Sequence, residues 1–360
     1  MVMVAFCLAL VLVRATQPDQ VAFVQGAEPA ARRVCVADLA SGAVTPVGPG
    51  TSDGAPVWAP GGEWLAFDTG NNGGRAICVV HGDGSGLRRL PLADRSNRWP
   101  RWSPEGTRIA YASGAGQDQR IMVYDLGTDT ELPWGGNRTG LMRPVWVGGI
   151  SLVRLQQAFG DDPALPELAW QPDANIVAIG LTVSSAGLST DLFIVTPDGA
   201  IPIPGMLLPS EGSYEEWFAE PAPDGKMIAF ESNDGGDREI FVLYRQGAYD
   251  VSNHRAADWN PVWSPDGKCF AFESFRSGRR GLYRAYPDTV RVTAIAASPE
   301  ADFWHPAWSP DGAHLAFVSN CGGAPRIFIA ESTGENMRPL TNGAGHEYAP
   351  AWRPTPEVKE

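Results

Sequence analysis

Four carboxylates recur at one offset in this 360-residue chain. Asp53, Glu216, Asp258 and Glu347 each lie three positions before a slot filled by Pro56, Ala219, Pro261 and Pro350. Asp302 lies one position further back from Pro306. Aromatic residues follow the same slots: Trp217, Trp259, Trp304 and Tyr348. Carboxylates attract positive charge, and aromatic faces add contact area and cation–π attraction. If these side chains converge, they would bind a basic peptide segment or a cation; otherwise the acids solvate loops and the aromatics fill space. Three histidines, His254, His305 and His346, fall in the same segments. With Asp258 or Glu347 they would form an imidazole–carboxylate metal site. No His-x-x-His spacing brings them together locally, so only the tertiary structure can gather them.

Those segments need a frame, and the frame is a repeat. "NPVWSPDGKCFAFES" at 260–274 returns as "HPAWSPDGAHLAFVS" at 305–319. Tryptophans in the same slot stand at Trp58, Trp102 and Trp146, then at Trp263, Trp308 and Trp352, with spacings of 44, 44, 45 and 44 residues within the two runs. Trp170 opens a related stretch, "WQPDANIVAIG", and Pro221 occupies the tryptophan slot of "PAPDGKMIAFES". Each unit reads as a first strand ending in tryptophan, a Ser-Pro-Asp-Gly turn and a second strand. A Gly- and Asn-rich loop, a third strand and a weaker fourth follow. Ala66, Ala110, Ala178, Ala229, Ala271 and Ala316 share one slot, each followed by a large residue. Small and large side chains then point to opposite faces of a sheet covered on both sides, which radially stacked blades provide.

The two ends are complementary. "EYAPAWRP" near the C-terminus is a first strand without a second, while "QVAFVQG" and "RVCVADL" near the N-terminus are a second and third strand without a first. Together they make one split unit that closes a ring. The expected fold is therefore all-β, a propeller of seven four-stranded blades over 17–355, with six or eight as alternatives. The unit begun at Trp146 reads as a degenerate, two-stranded insertion near 140–169, and 356–360 as a tail.

Composition limits the function. Gly 41 and Pro 31 suit a turn-rich protein. A formal charge of −13 argues against a nucleic-acid surface. The five cysteines show no CxxC pair and read as free thiols, buried where they fall in strands. Residues 1–13, "MVMVAFCLALVLV", are too short for a membrane span, which takes about 20 residues. They fit the apolar region of a signal peptide over 1–16, with Val13 and Ala15 before a cut, although the usual basic start is missing. An exported protein, periplasmic or extracellular, is expected. Arg75, Arg120, Arg238, Arg280 and Arg326 stand before or at third strands and are expected to pair with loop acids such as Asp118, Asp234 and Asp237. Asn137-Arg138-Thr139 is a glycosylation sequon by pattern, read as incidental.

The pattern "PxWSPDGxxxAF" resembles the TolB-type propeller repeat, a WD40-like repeat of bacterial periplasmic proteins. The resemblance is strong at Trp263 and Trp308, good at Trp58 and Trp102, and degraded at Trp146 and Pro221. It implies the propeller fold and leaves function open. TolB carries an α/β domain before its propeller; no such segment is expected ahead of Gln17, so a Tol–Pal role is not carried over. Similar propellers cap prolyl-oligopeptidase-type peptidases, but Ser85 in "GDGSG" lies in a turn and lacks the strand-to-helix setting of a nucleophile elbow. No hydrolase domain is expected after Pro354. The expectation is a non-enzymatic, cofactor-free, monomeric protein that binds a protein or peptide partner, a basic one by the acids above, through the channel mouth and blade loops. The alternative is a metal-dependent uronide lyase or hydrolase of the oligogalacturonate lyase type, with a channel cation held by the histidines. Such a metal would stabilise an enolate beside a carboxylate.

Overall fold

The computed structural model describes residues 19–71, 73–92, 96–147, 175–184, 187–203, 215–234, 236–244, 247–341, 343 and 345–355. Seven four-stranded antiparallel sheets form a seven-bladed β-propeller. Blade 1 is the split one: Glu347–Trp352 pairs with Gln20–Gln25, followed by Arg33–Asp38 and Val44–Pro46. Blades 2 to 7 follow in chain order, starting with Val57–Trp58, Asn97–Trp102, Leu141–Val147, Glu216–Pro221, Asp258–Trp263 and Phe303–Trp308. Joining the two chain ends in one sheet replaces a pair of exposed strand edges with a hydrogen-bonded ladder.

The repeated turn has the conformation its sequence calls for. The Gly267 and Gly312 N–H groups donate to the Ser264 and Ser309 carbonyls at 2.9 Å, and both glycines adopt left-handed φ, 67° and 71°. The Ser264 hydroxyl donates to Asp266 at 2.7 Å and accepts from the Cys269 N–H at 3.2 Å, closing the hairpin from its side-chain side.

Packing occurs between blades. Ala66, Ala110, Ala178, Ala229, Ala271 and Ala316 are fully buried, as are Phe67, Tyr111, Phe230, Phe272 and Phe317 beside them. Each apolar cluster draws its residues from two neighbouring blades: Val21 and Phe23 meet Val318 and Ile327, for example, and Phe272 and Tyr283 meet Val242 and Ile240. The slot tryptophans add a directional bond. Their indole N–H groups reach back to the first strand of the preceding blade: Trp58 to the Ala351 carbonyl, Trp102 to Val57, Trp146 to Arg101, Trp263 to Glu220, Trp308 to Val262 and Trp352 to Ala307, all within 2.9–3.1 Å. A repeat near 44 residues is thus the distance between one blade's carbonyl and the next blade's indole. At the blade 4–blade 5 seam Pro221 fills the slot and offers no donor.

The fourth blade differs from expectation. Trp146 ends its first strand, opposite Ile176 on the second strand Asn175–Ser184. The sequence reading gave that place to Trp170 and set 140–169 outside the blades. The 44-residue step from Trp102 to Trp146 is kept because Trp146 must reach the Arg101 carbonyl; the interruption falls between first and second strands instead. Residues 148–174, Trp170 included, lie outside the described residues. So do 1–18, and with them the signal-peptide expectation and Cys7. No helix among the described residues is long and apolar enough to cross a membrane.

Candidate functional site

First strands of neighbouring blades contact one another, so they line the central axis. Antiparallel order puts the segment before each first strand and the loop between second and third strands on one face of the ring. Along Asp258–Trp263, Asp258, Pro261 and Trp263 are buried while Trp259, Asn260 and Val262 are partly exposed, and Phe303–Trp308 repeats the pattern. The pairing register breaks between Trp259 and Val262, and at the same place in blades 1, 3, 4, 5 and 7. This bulge puts one residue per blade in the left-handed region: Trp99 (φ 57°), Arg143 (51°), Phe218 (46°), Asn260 (57°), His305 (51°) and Ala349 (50°). For bulky side chains that conformation is costly, on the order of 1–3 kcal/mol. Here it turns the bulge side chains of successive blades toward one another: the Arg143 guanidinium lies 5.1 Å from the Trp99 ring and 4.0 Å from that of Phe218.

Two buried glutamates hold the bulges of blades 6 and 7. Glu231, on the second strand of blade 5, accepts the Asn260 N–H at 2.6 Å and pairs with Arg238 at 3.2 Å. Glu273, one blade on, accepts the His305 N–H and the Asn260 side-chain amide, both at 2.8 Å, and pairs with Arg280. Burial pushes the Glu231 carboxyl up to about 7, against the pull of the Asn260 N–H and Arg238. Sequence reasoning missed both residues. Their signal was present as an acid two residues after the repeated alanine, in a strand otherwise apolar.

The pre-strand acids face inward. Asp53, Glu216, Asp258 and Glu347 are at most 4% exposed. Asp53 accepts the Val34 N–H at 3.0 Å and the Thr69 hydroxyl at 2.6 Å; Glu347 accepts the Ile327 N–H at 3.0 Å and the Thr341 hydroxyl. Each therefore ties a first-strand start to the third strand of the blade before it. Asp258 is paired with Arg276 at 2.6 Å. Asp302 is partly exposed, but it is bound by Arg279 at 2.5 Å and the Asn320 amide at 3.0 Å, and the Arg279 bond holds it below the usual carboxylate range. Among the described residues Glu216 has no cationic partner; burial, with Asp191 nearby, pushes it up to about 8. Asp53, Asp258, Asp302 and Glu347 thus commit their charge to bonds between elements, and burial keeps Glu216 from ionising readily, so these residues do not present an open acidic rim.

The aromatics remain at the face. Trp217 stacks on Arg238 at 3.9 Å, Tyr348 on Arg32 at 4.9 Å, and Arg280 sits between Trp259 and Trp304 at 5.5 and 5.6 Å. Phe275, in the loop after the second strand of blade 6, lies against Trp259 at 5.2 Å and is 43% exposed. The third-strand arginines pair differently from expectation. Arg75, Arg238 and Arg280 join Asp68, Glu231 and Glu273, each seven residues earlier on the adjoining strand, and Arg326 donates to the Thr341 carbonyl. In each ion pair the acid stands on the second strand and the arginine at or just before the third, on opposite arms of one hairpin.

The histidines do not converge. His254 is exposed and its Nδ1 accepts the Ala256 N–H at 3.0 Å. His305 is a bulge residue whose imidazole is held below its ordinary value by burial. His346 is partly buried before the closing strand, at φ 62°. No group of three or more His, Cys, Asp or Glu among the described residues could hold a metal ion. Cys35, Cys78 and Cys269 are buried free thiols, with burial pushing Cys35 and Cys78 up to about 11; Cys321 is free and exposed.

No family model matches the chain. Over 140 residues it is 27% identical to an uncharacterized protein, Atu1656, of Agrobacterium fabrum, a stretch covering 38% of this chain and 43% of that protein. The match thus spans less than half of that relative. Among solved structures, TolB from Acinetobacter baumannii is similar over 94% of this chain and 67% of its own (TM-score 0.56, 17% identity). The propeller domain of the Trilobed protease from Pyrococcus furiosus is similar over 92% and 95% (TM-score 0.63, 13% identity). An oligogalacturonate lyase solved with manganese is similar over 90% and 85% (TM-score 0.56, 15% identity). The chain has the propeller fold of TolB-type proteins; at these identities the likeness is one of fold.

Proposed function

We propose that this protein is a non-enzymatic binding module that receives a protein or peptide segment on the channel face of blades 5 to 7. One observation carries the reading: Phe275 stands 43% exposed against Trp259, beside Arg280 and the partly exposed Trp304. Aromatic and arginine side chains at a concave face are the residue types that dominate protein recognition. They are also held in place in advance. The carboxylate pairing of Arg280 fixes the cation between two indoles, and the bulges fix the backbone, so a ligand would order little on binding.

The test is capture of partners from the native host by the wild-type protein and by the Trp259→Ala/Phe275→Ala variant, followed by titration of each captured protein in purified form. A partner whose affinity falls at least tenfold in the variant, with the melting temperature unchanged, is the expected result. Equal affinity of all partners for both proteins would remove this face from the binding role.

A further inference from the structure

Resting on the peptide-binding role above, the geometry points to an acidic residue in the bound segment: we infer that Arg143 is a carboxylate receptor set into the channel wall. Arg143 is the bulge residue of blade 4, held between the rings of Trp99 and Phe218 from the two flanking blades. In both contacts the guanidinium carbon lies over a ring, an attraction that uses no N–H···O bond and so leaves the N–H edge for hydrogen bonding. Among the described residues that edge makes no hydrogen bond and no ion pair, whereas Arg238, Arg276, Arg279 and Arg280 are all paired.

The nearby charges reinforce the contrast. Glu231 is within electrostatic reach of Arg143, but its oxygens are taken by Arg238 and the Asn260 N–H. Arg101, on the inner strand of blade 3, adds positive charge near Arg143, and Glu220 on blade 5 lies near Arg101. Among the described residues, Arg101, Arg143 and Arg238 thus face Glu220 and Glu231, and of these arginines Arg143 has no oxygen partner. An unpaired, partly buried guanidinium is costly unless a ligand satisfies it, and its fork matches a carboxylate with two parallel bonds. The net charge of −13 disfavours an extended polyanion and leaves a single carboxylate, from an aspartate, a glutamate or a chain end, as the fitting group.

Panning a random dodecapeptide phage library on immobilised protein tests both ideas separately. Enriched peptides should carry aspartate, glutamate or a free C-terminal carboxylate at one fixed position. Synthetic copies should bind Arg143→Met about ten- to a hundredfold more weakly, with Arg143→Lys intermediate and binding to the wild type weakening as salt is raised. Methionine keeps the apolar stem between Trp99 and Phe218, and a thermal melt matched to wild type confirms the fold. Enriched peptides without an acidic position, or acidic peptides that bind Arg143→Met unchanged, would overturn the arginine inference and leave the binding role standing. No enrichment at all would overturn both. If Arg143→Met fails to fold, the acidic position in the wild-type selection and the Arg143→Lys affinities decide.

Discussion

Buried carboxylates set the chemistry of individual residues here. Glu216 keeps its proton up to about pH 8 in the fold, and Glu231 up to about 7, because burial disfavours the charged form. The unfolded chain releases those protons near pH 4.3. Between these limits the folded state binds more protons than the unfolded state, so stability is greatest below the unfolded value and falls as pH rises toward 8. The melting temperature should therefore drop between pH 5.5 and 8.5, and Glu216→Gln, which cannot ionise, should flatten that decline. A wild-type profile that rises over the same range would refute the assignment. Position in the repeat was legible for Asp53, Asp258 and Glu347. Their orientation was not, because an acid before a strand reads the same whether it faces solvent or caps a neighbouring N–H.

Elements are joined by the slot tryptophans, and two substitutions separate what the indole does. Trp308 is 9% exposed and donates to the Val262 carbonyl at 3.0 Å. Trp308→Phe removes the bond and most of the second ring but keeps an aromatic core, and should cost about 1–2 kcal/mol. Trp308→Ala also opens a cavity and should cost about 3–5 kcal/mol. Urea denaturation measures both; equal losses would mean that the hydrogen bond and the fill of the blade 6–blade 7 seam cannot be told apart in this way. The tryptophan slots were plain in the sequence, and the hydrogen bond that fixes their spacing explains why. In blade 4 the same rule places the first strand at Trp146; the sequence reading missed it because a long interruption separates that strand from its partner.

At the scale of the whole molecule, closure rests on six residues. Glu347–Trp352 supplies blade 1 with its first strand, accepts the Trp58 indole at Ala351 and sends the Trp352 indole to Ala307. A chain terminated before Glu347 loses a strand ladder and both indole bonds, and leaves two blades with uncovered faces. It should show no cooperative thermal transition by near-ultraviolet circular dichroism, whereas a retained transition would mean that the ring holds without its clasp.

By itself the sequence determined the blade: the turn, the alternation of small and large residues and the indole slot are local patterns, and each has one structural solution. It also determined closure, since the two end fragments are complementary parts of one unit. Only the tertiary structure decided which charges remain available. Asp53, Asp258 and Glu347 are used up in bonds to residues 18 to 20 positions away, two of them on a different blade, while Arg143, unremarkable in the sequence, is left between Trp99 and Phe218 without an oxygen partner among the described residues. The sign of the exposed charge depends on which pairs form across the ring, and pairing at that distance is settled by packing rather than by residue type.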